Sequence, residues 1–363
     1  TAILLRKSSP PPTTRMQSLE GLRDWAPVRI DALGLVTILG ARSANRVLGQ
    51  YTTNRFTDWL PLLAAHVIAT DEIAEPQSGF ALYNITDGIM ATDLTGWFTR
   101  WLLSGDFTPC ASHVTIRAAT SSTSQSRQNM DSACAGIFGC LGLAPALLAG
   151  LIGDWWGLAN GIAILVGVLV RRFVLAQRRA AIDRAMDKAL RTSDEPVKVF
   201  VTLPNGNAIT ISTTRGIVID CLLTTPQPLE PHLYEVARSV GWLAFGAHII
   251  ALGMASLFSQ IICVVLLISA AILTNRQLGT DRCRIGRCME LTRVDAKLRF
   301  RAAAYARLQL TVTEEDSLVL WNLVPHKSNK EWWAKYDAAK KEGSFENWDR
   351  RLSQKASSLT RCK

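Results

Sequence analysis

The sequence predicts an α-helical membrane protein: two transmembrane helical hairpins, about four spans, with a small cytoplasmic α+β unit. Three observations predict it. Ser132–Val170 carries one charge, Asp154, in 39 residues, and Ser239–Thr274 carries none in 36, although 19% of the chain is charged. Charge is excluded from a bilayer because an ionised side chain near the midplane costs at least ~2.5–3.5 kcal/mol. Each stretch is too long for one span of about 20 residues and close to the length of two, so each predicts a hairpin. Basic side chains then gather behind both stretches, with Arg171, Arg172, Arg178 and Arg179 after the first and Arg276, Arg282, Arg284 and Arg287 after the second. Arginine close to a span marks the cytoplasmic side.

These observations divide the chain into five segments. Residues 1–131 form a non-spanning region whose apolar pieces, Ala32–Ala41 and Trp59–Ala69, are too short to cross and read as core or interfacial helices. The acidic group Asp71, Glu72 and Glu75 reads as a solvated loop, Asn84-Ile85-Thr86 is a formal glycosylation sequon, and Thr120–Ser126 is a polar linker. Met16 is a candidate start, and Arg6, Lys7 and Arg15 give the N-terminus a faint transit-peptide character.

Residues 132–170 form the first hairpin, turning around Asp154-Trp155-Trp156-Gly157, with tryptophans where headgroups sit. Asp154 is either a solvated turn residue or an intramembrane carboxylate on an ion path. Gly153, Gly157 and Gly161 at spacing four allow helix backbones to approach closely.

Residues 171–238 begin with a helix, Arg171–Arg191, in which Arg179/Asp183 and Asp187/Arg191 can pair. The period then changes to two. Val197–Leu203 and Ala208–Thr213 flank Pro204-Asn205-Gly206-Asn207, a hairpin turn, and Ile217–Leu223 reads as a third strand.

Residues 239–274 form the second hairpin, turning near Ser259-Gln260, with a small-residue seam at Ala247, Ala251, Ala255 and Ser259. His248 is hydrogen-bonded to a neighbouring helix or relays a proton.

Residues 275–363 form a basic tail. Leu291, Val294, Leu298, Ala302, Tyr305 and Gln309 step as a helix, and Leu308–Thr313 and Leu318–Val324 read as a strand pair. A meander alone is marginal, so middle and tail strands are expected to share one sheet. Lys330–Leu352, rich in tryptophan, either packs on that sheet or docks on a membrane surface or partner.

No catalytic, cofactor-binding or metal residue is assigned, and no cofactor. The chain has no Gly-x-Ser-x-Gly, His-Glu-x-x-His, phosphate-loop or dinucleotide pattern. Cys283 and Cys288 could supply half of a zinc site, but no second pair follows, and juxtamembrane acylation is the better use for them. The net charge of +10 could suggest nucleic acid. Its placement beside the spans points instead to topology and to anionic lipid, with no nucleic-acid partner.

Thr213–Cys221 (Thr-Thr-Arg-Gly-Ile-Val-Ile-Asp-Cys), the second hairpin and Lys341–Trp348 (Lys-Glu-Gly-Ser-Phe-Glu-Asn-Trp) resemble predicted integral membrane proteins of filamentous fungi. The resemblance covers roughly the second half of the chain. It implies a fungal multi-pass membrane protein and transfers no activity.

Three function classes follow: a membrane-anchored scaffold or regulatory protein binding a protein partner, a small oligomeric transporter or channel component, and a membrane enzyme without a recognisable motif. Asn160, His248, Ser256 and Gln260 are a thin polar set for a transport path, which favours the scaffold, and the lack of motifs disfavours an enzyme.

Overall fold

The computed structural model describes residues 41–52, 57–61, 65–105, 107, 112–119, 143–275, 282–295 and 301–343. The candidate start at Met16, the Thr120–Ser126 linker, Cys134, Cys140, Arg276 and the end of the tail lie outside them. The described chain runs α1 (Ala41–Leu48), a 3-10 turn (Thr57–Trp59), α2 (Ala65–Ala69), β1 (Ala81–Asn84), β2 (Ile89–Ala91), α3 (Gly96–Ser104) and β3 (Ser112–Ala118). Then come α4 (Leu143–Ile152), α5 (Trp155–Thr192), β4 (Pro196–Thr202), β5 (Ala208–Thr214), α6 (Pro231–Met254) and α7 (Leu257–Asn275). The chain continues through β6 (Arg282–Ile285), β7 (Met289–Asp295), α8 (Arg301–Arg307), α9 (Val312–Leu320) and α10 (Lys330–Lys341).

The architecture combines a mixed seven-stranded sheet, ordered β2-β1-β4-β5-β3-β7-β6, with two helices long and apolar enough to cross a membrane, α5 and α6. Every strand pair is antiparallel except β3 with β5. The strands come from the N-terminal region, the middle segment and the tail, so three stretches separated in sequence build one sheet. The small unit expected from the middle and tail alone is therefore too small. Strands β1 and β3 of the N-terminal region complete it.

Alternation decides what each face buries. Val197, Val199 and Val201 of β4 and Ile209 and Ile211 of β5 point to the second half of α5, where Val174, Leu175, Ile182 and Met186 are buried in the same core. Phe200, Ala208 and Ile85 point the other way and pack against Tyr305, Leu318 and Tyr336 of α8–α10. Trp332 and Trp333 join this second cluster, so the described part of the aromatic tail packs on the sheet, while Phe345 and Trp348 lie outside the described residues.

Several local expectations are overturned. Ile217–Leu223 is not a strand: Arg215–Ile217 is a helical turn and Val218–Leu223 a π-helical one. The free edge of β5 is taken by β3. The β-branched run instead folds under α3, where Trp97 Nε1 and Thr95 Oγ1 both donate to the Cys221 carbonyl. Gly216 permits the approach, since a Cβ there would stand 2.2 Å from the Ala189 carbonyl oxygen. The helix expected from Leu291 begins as β7, and of its described residues only Arg301–Arg307 are helical. The expected strand pair in the tail is α9 with flanking loops. Thr311 and Glu314 close a capping box, so the acidic run between the expected strands lies within a helix. Asn84 is buried and hydrogen-bonded to Asp87, which removes it as a glycosylation site.

Glu314 also ties the tail to the sheet, accepting from Lys198 Nζ at 2.9 Å, Thr86 Oγ1 at 3.1 Å and its own cap amide, Thr311 N, at 2.7 Å. Burial would raise its pKa, but the hydrogen bonds from Lys198 and Thr311 outweigh that and hold the carboxyl below its usual value. A depressed pKa contributes stability above the unfolded value of about 4.3, lost as pH falls through the folded one. Protection factors for amide exchange over 301–343 should therefore fall in acid. Glu314→Gln should flatten that pH dependence and cost about 1–3 kcal/mol at neutral pH. An unchanged acid profile in the variant would show that another group carries it.

Candidate functional site: an apolar belt above an arginine collar

The unusual surface of this molecule lies on α4–α7. Large apolar side chains stand exposed there, among them Leu151 (69%), Trp155 (77%), Leu243 (75%) and Ile250 (63%). Soluble surfaces seldom carry contiguous apolar patches of this kind without a partner. Inside, α5 packs along α6, and Ile164, Leu252, Cys263 and Leu267 form a small separate core. Close approach of α4 and α5 needs glycine: a Cβ on Gly161 would fall 2.6 Å from the Ala146 Cβ. The seam on α6 is only partly inward, with Ala251 and Ala255 buried and Ala247 exposed.

Polar groups within the belt satisfy one another. Asp154 caps α5 through the Gly157 amide at 2.9 Å, and its other oxygen accepts from the Ser256 amide (2.9 Å), the Ser256 hydroxyl and the Ser259 hydroxyl (2.7 Å each). It is 6% exposed, so it is a buried tie between the two hairpin turns and not a solvated residue. Those turns lie at Gly153–Asp154 and Ala255–Ser256, one to four residues earlier than the spacing of apolar residues suggests, because Ser256 must reach Asp154. His248 Nδ1 lies 2.6 Å from Asn160 Oδ1, which makes the ring the donor; Asn160 also meets Cys263. Gln260 donates to the Leu252 carbonyl.

Where α5 leaves the belt, arginines form a collar. Read from sequence, Arg171, Arg172, Arg178 and Arg179 face anionic lipid. In the fold all four engage protein. Arg171 donates to the Asp58 and Leu60 carbonyls, and Arg172 lies 3.5 Å over the Trp59 ring centroid. Arg179 pairs with Asp58 at 2.5 Å and donates to the Tyr51 and Thr52 carbonyls, so its expected partner Asp183 is released to accept from the Arg287 and Cys288 amides. Arg178 pairs with Asp71 at 2.5 Å and donates to Tyr234 Oη at 2.9 Å, and Tyr234 donates in turn to Asp71. The acidic loop is thus a structural clamp. Burial pushes the Tyr51 phenol beside it up to about 12, against the lowering influence of Arg178, so it stays protonated and donates to the Ile73 carbonyl. The neighbouring Arg100 donates to the Asn45 side chain and to the carbonyls of Glu72, Glu75 and Gly96.

A cavity lined by Tyr51, Gly96, Trp97, Arg178 and Pro226 adjoins the clamp, but at about 10 Å³ it holds no more than one water. Among the described residues no group of three His, Cys, Asp or Glu could hold a metal ion. Burial, helped by Asp220, pushes the Cys221 thiol up to about 12, so it is inert as a nucleophile at neutral pH. Burial and Asp183 also raise Cys288, which counts against ready acylation. No family model, curated protein or solved structure matches the chain. The fold therefore defines the class no further than a sheet protein bearing two helices that could cross a membrane.

Asp71→Ala should be strongly destabilising, by about 3–5 kcal/mol, because it leaves the Arg178 charge buried and unpaired. Asp71→Ala with Arg178→Met should cost less than Asp71→Ala alone. Urea midpoints of the parent, both single variants and the double variant measure it, and additive losses would show that the pair is not coupled.

Proposed function

We propose that the chain is an integral membrane protein, anchored by two helical hairpins that enter and leave the bilayer from one side, with the sheet as a cytoplasmic scaffold or regulatory unit for a protein partner. The observation that carries the proposal is the exposure of the apolar helices. A soluble core helix is mostly buried, whereas only 50% of the apolar window of α5 and 28% of that of α6 are covered by protein. Heights agree as well. From the turns to Arg171 on α5 and to Arg238 on α6 is roughly 25 Å each, and α7 is roughly 28 Å long, at 1.5 Å per residue. Charge thus begins at one level on α5 and α6, close to the hydrocarbon thickness of about 30 Å. Arg172 and Arg238, which keep part of their surface open, are where anionic headgroups would meet the collar. A source among filamentous fungi belongs to the same proposal.

Leu243→Lys separates the two environments. On a soluble surface it should be neutral or improve solubility. In a bilayer it places a charge on the lipid-facing side of a span, costing up to about 2.5–3.5 kcal/mol near the midplane. The expected result is loss of the variant from the alkaline-carbonate-resistant membrane fraction that retains the parent. A parent released by carbonate would end the membrane reading. For the scaffold role, purification in detergent should bring down a stoichiometric protein partner. A chain that purifies alone and moves an ion or solute on reconstitution would replace scaffold with transport.

A further inference from the structure

The two hairpin turns meet at one tip, and that tip offers water nothing. Its only charge among the described residues, Asp154, is enclosed by four protein donors. Around it stand Leu151, Trp155, Trp156 and Met254, 69%, 77%, 47% and 46% exposed, with open space beside Gly150 and Gly253. Each such side chain left in water forfeits on the order of 1.5–3 kcal/mol of burial. A loop meant for an aqueous compartment would carry the reverse pattern, with charge outside and tryptophan inside.

We propose that this tip docks in the far leaflet of the bilayer, where acyl chains meet the glycerol backbones, and ends there. The inference rests on the membrane reading above. Its occupant is lipid, for two reasons of geometry. The belt is roughly 25 Å tall from collar to turn, slightly less than the hydrocarbon core of about 30 Å. A collar seated at the near interface therefore brings the tip to the far one and not beyond it. The rings agree: Trp59, stacked on Arg172, marks the near level, and Trp155 and Trp156 mark the far one, which is how interfacial tryptophans bracket a bilayer. Enclosing Asp154 is then a requirement, since a carboxylate at that depth finds too little water to solvate it. One consequence is that both hairpins insert from one side without carrying any charged loop across.

The test uses the full chain with Leu151→Cys, and Arg191→Cys at the exposed end of α5 as a control, in sealed phosphatidylcholine vesicles. Peptide mass spectrometry separates the introduced thiol from the native ones. An impermeant maleimide should label position 191 and leave 151 unlabelled, and both should label once the vesicles are dissolved in SDS. A bimane at 151 should be quenched more by lipids carrying a nitroxide near the headgroup than by lipids carrying it at the chain end. Labelling of 151 from the side opposite 191 would mean that the tip emerges, and stronger quenching by the chain-end probe that it stops mid-bilayer. A protected 151 that no lipid probe quenches would mean that protein covers it. Any of these overturns the inference while the chain still floats with the vesicles. A chain that does not float refutes the membrane reading itself.

Discussion

One helix runs through two environments, an apolar belt and the core beneath the sheet, and the rest of the molecule is arranged around it. Helix α5 runs unbroken for 38 residues, roughly 57 Å. Its first half belongs to the apolar belt and its second half is the helix on which the sheet folds. A continuous helix cannot adjust locally at the boundary without losing backbone hydrogen bonds. The adjustment is made by its side chains, which change within one turn from Leu169 and Val170 to Arg171 and Arg172. Asp154 fixes where the helix starts, and Pro196 begins β4 soon after it ends.

The collar follows from that boundary. An arginine near the edge of an apolar belt has lost part of its water and needs acceptors held in place. Backbone carbonyls at Asp58, Leu60, Tyr51 and Thr52 supply them. Among the described residues around those carbonyls only the 3-10 turn Thr57–Trp59 is helical, and the guanidinium groups hold the carbonyls against α5. The same bonds join Tyr51, Thr52, Asp58 and Leu60 of the N-terminal region to the helix that carries the belt. Arg238 does the same from α6 through the Ala69 carbonyl. Belt and sheet are thus cross-tied through charge at the one level where charge is tolerated on the belt side and buried on the other.

Features decided locally were legible in the sequence. The long helix after Val170, the β4–β5 hairpin with positive φ at Gly206 and the close packing at Gly161 each follow from a few adjacent residues. Features decided by distant partners were not. Ile217–Leu223 has the composition of a strand, but β3 occupies the edge it would need. β3 itself lies parallel to β5 from almost a hundred residues away, and no periodicity announces a partner at that separation. Arg171 and Arg178, read from sequence as facing lipid, are buried for the same reason. The capping box at Thr311 and Glu314 is a different kind of miss: the signature was present, and the β-branched residues around it were given more weight than the cap.

Function in the belt is constrained by how its polar atoms are used. A path for ions or protons needs groups that can exchange partners, and a series of them along one line. Here Asp154 is committed to two turns, His248 and Asn160 to each other, and Gln260 to a carbonyl of the preceding helix. Each bond joins one helix or turn to another, so breaking any of them loosens packing before it opens a route. In a medium where lipid matches apolar side chains in affinity for a helix face, such bonds and the small-residue contacts are what hold helices together. That economy fits the anchor proposed above: the belt's polar atoms are spent on tying its helices and turns to one another.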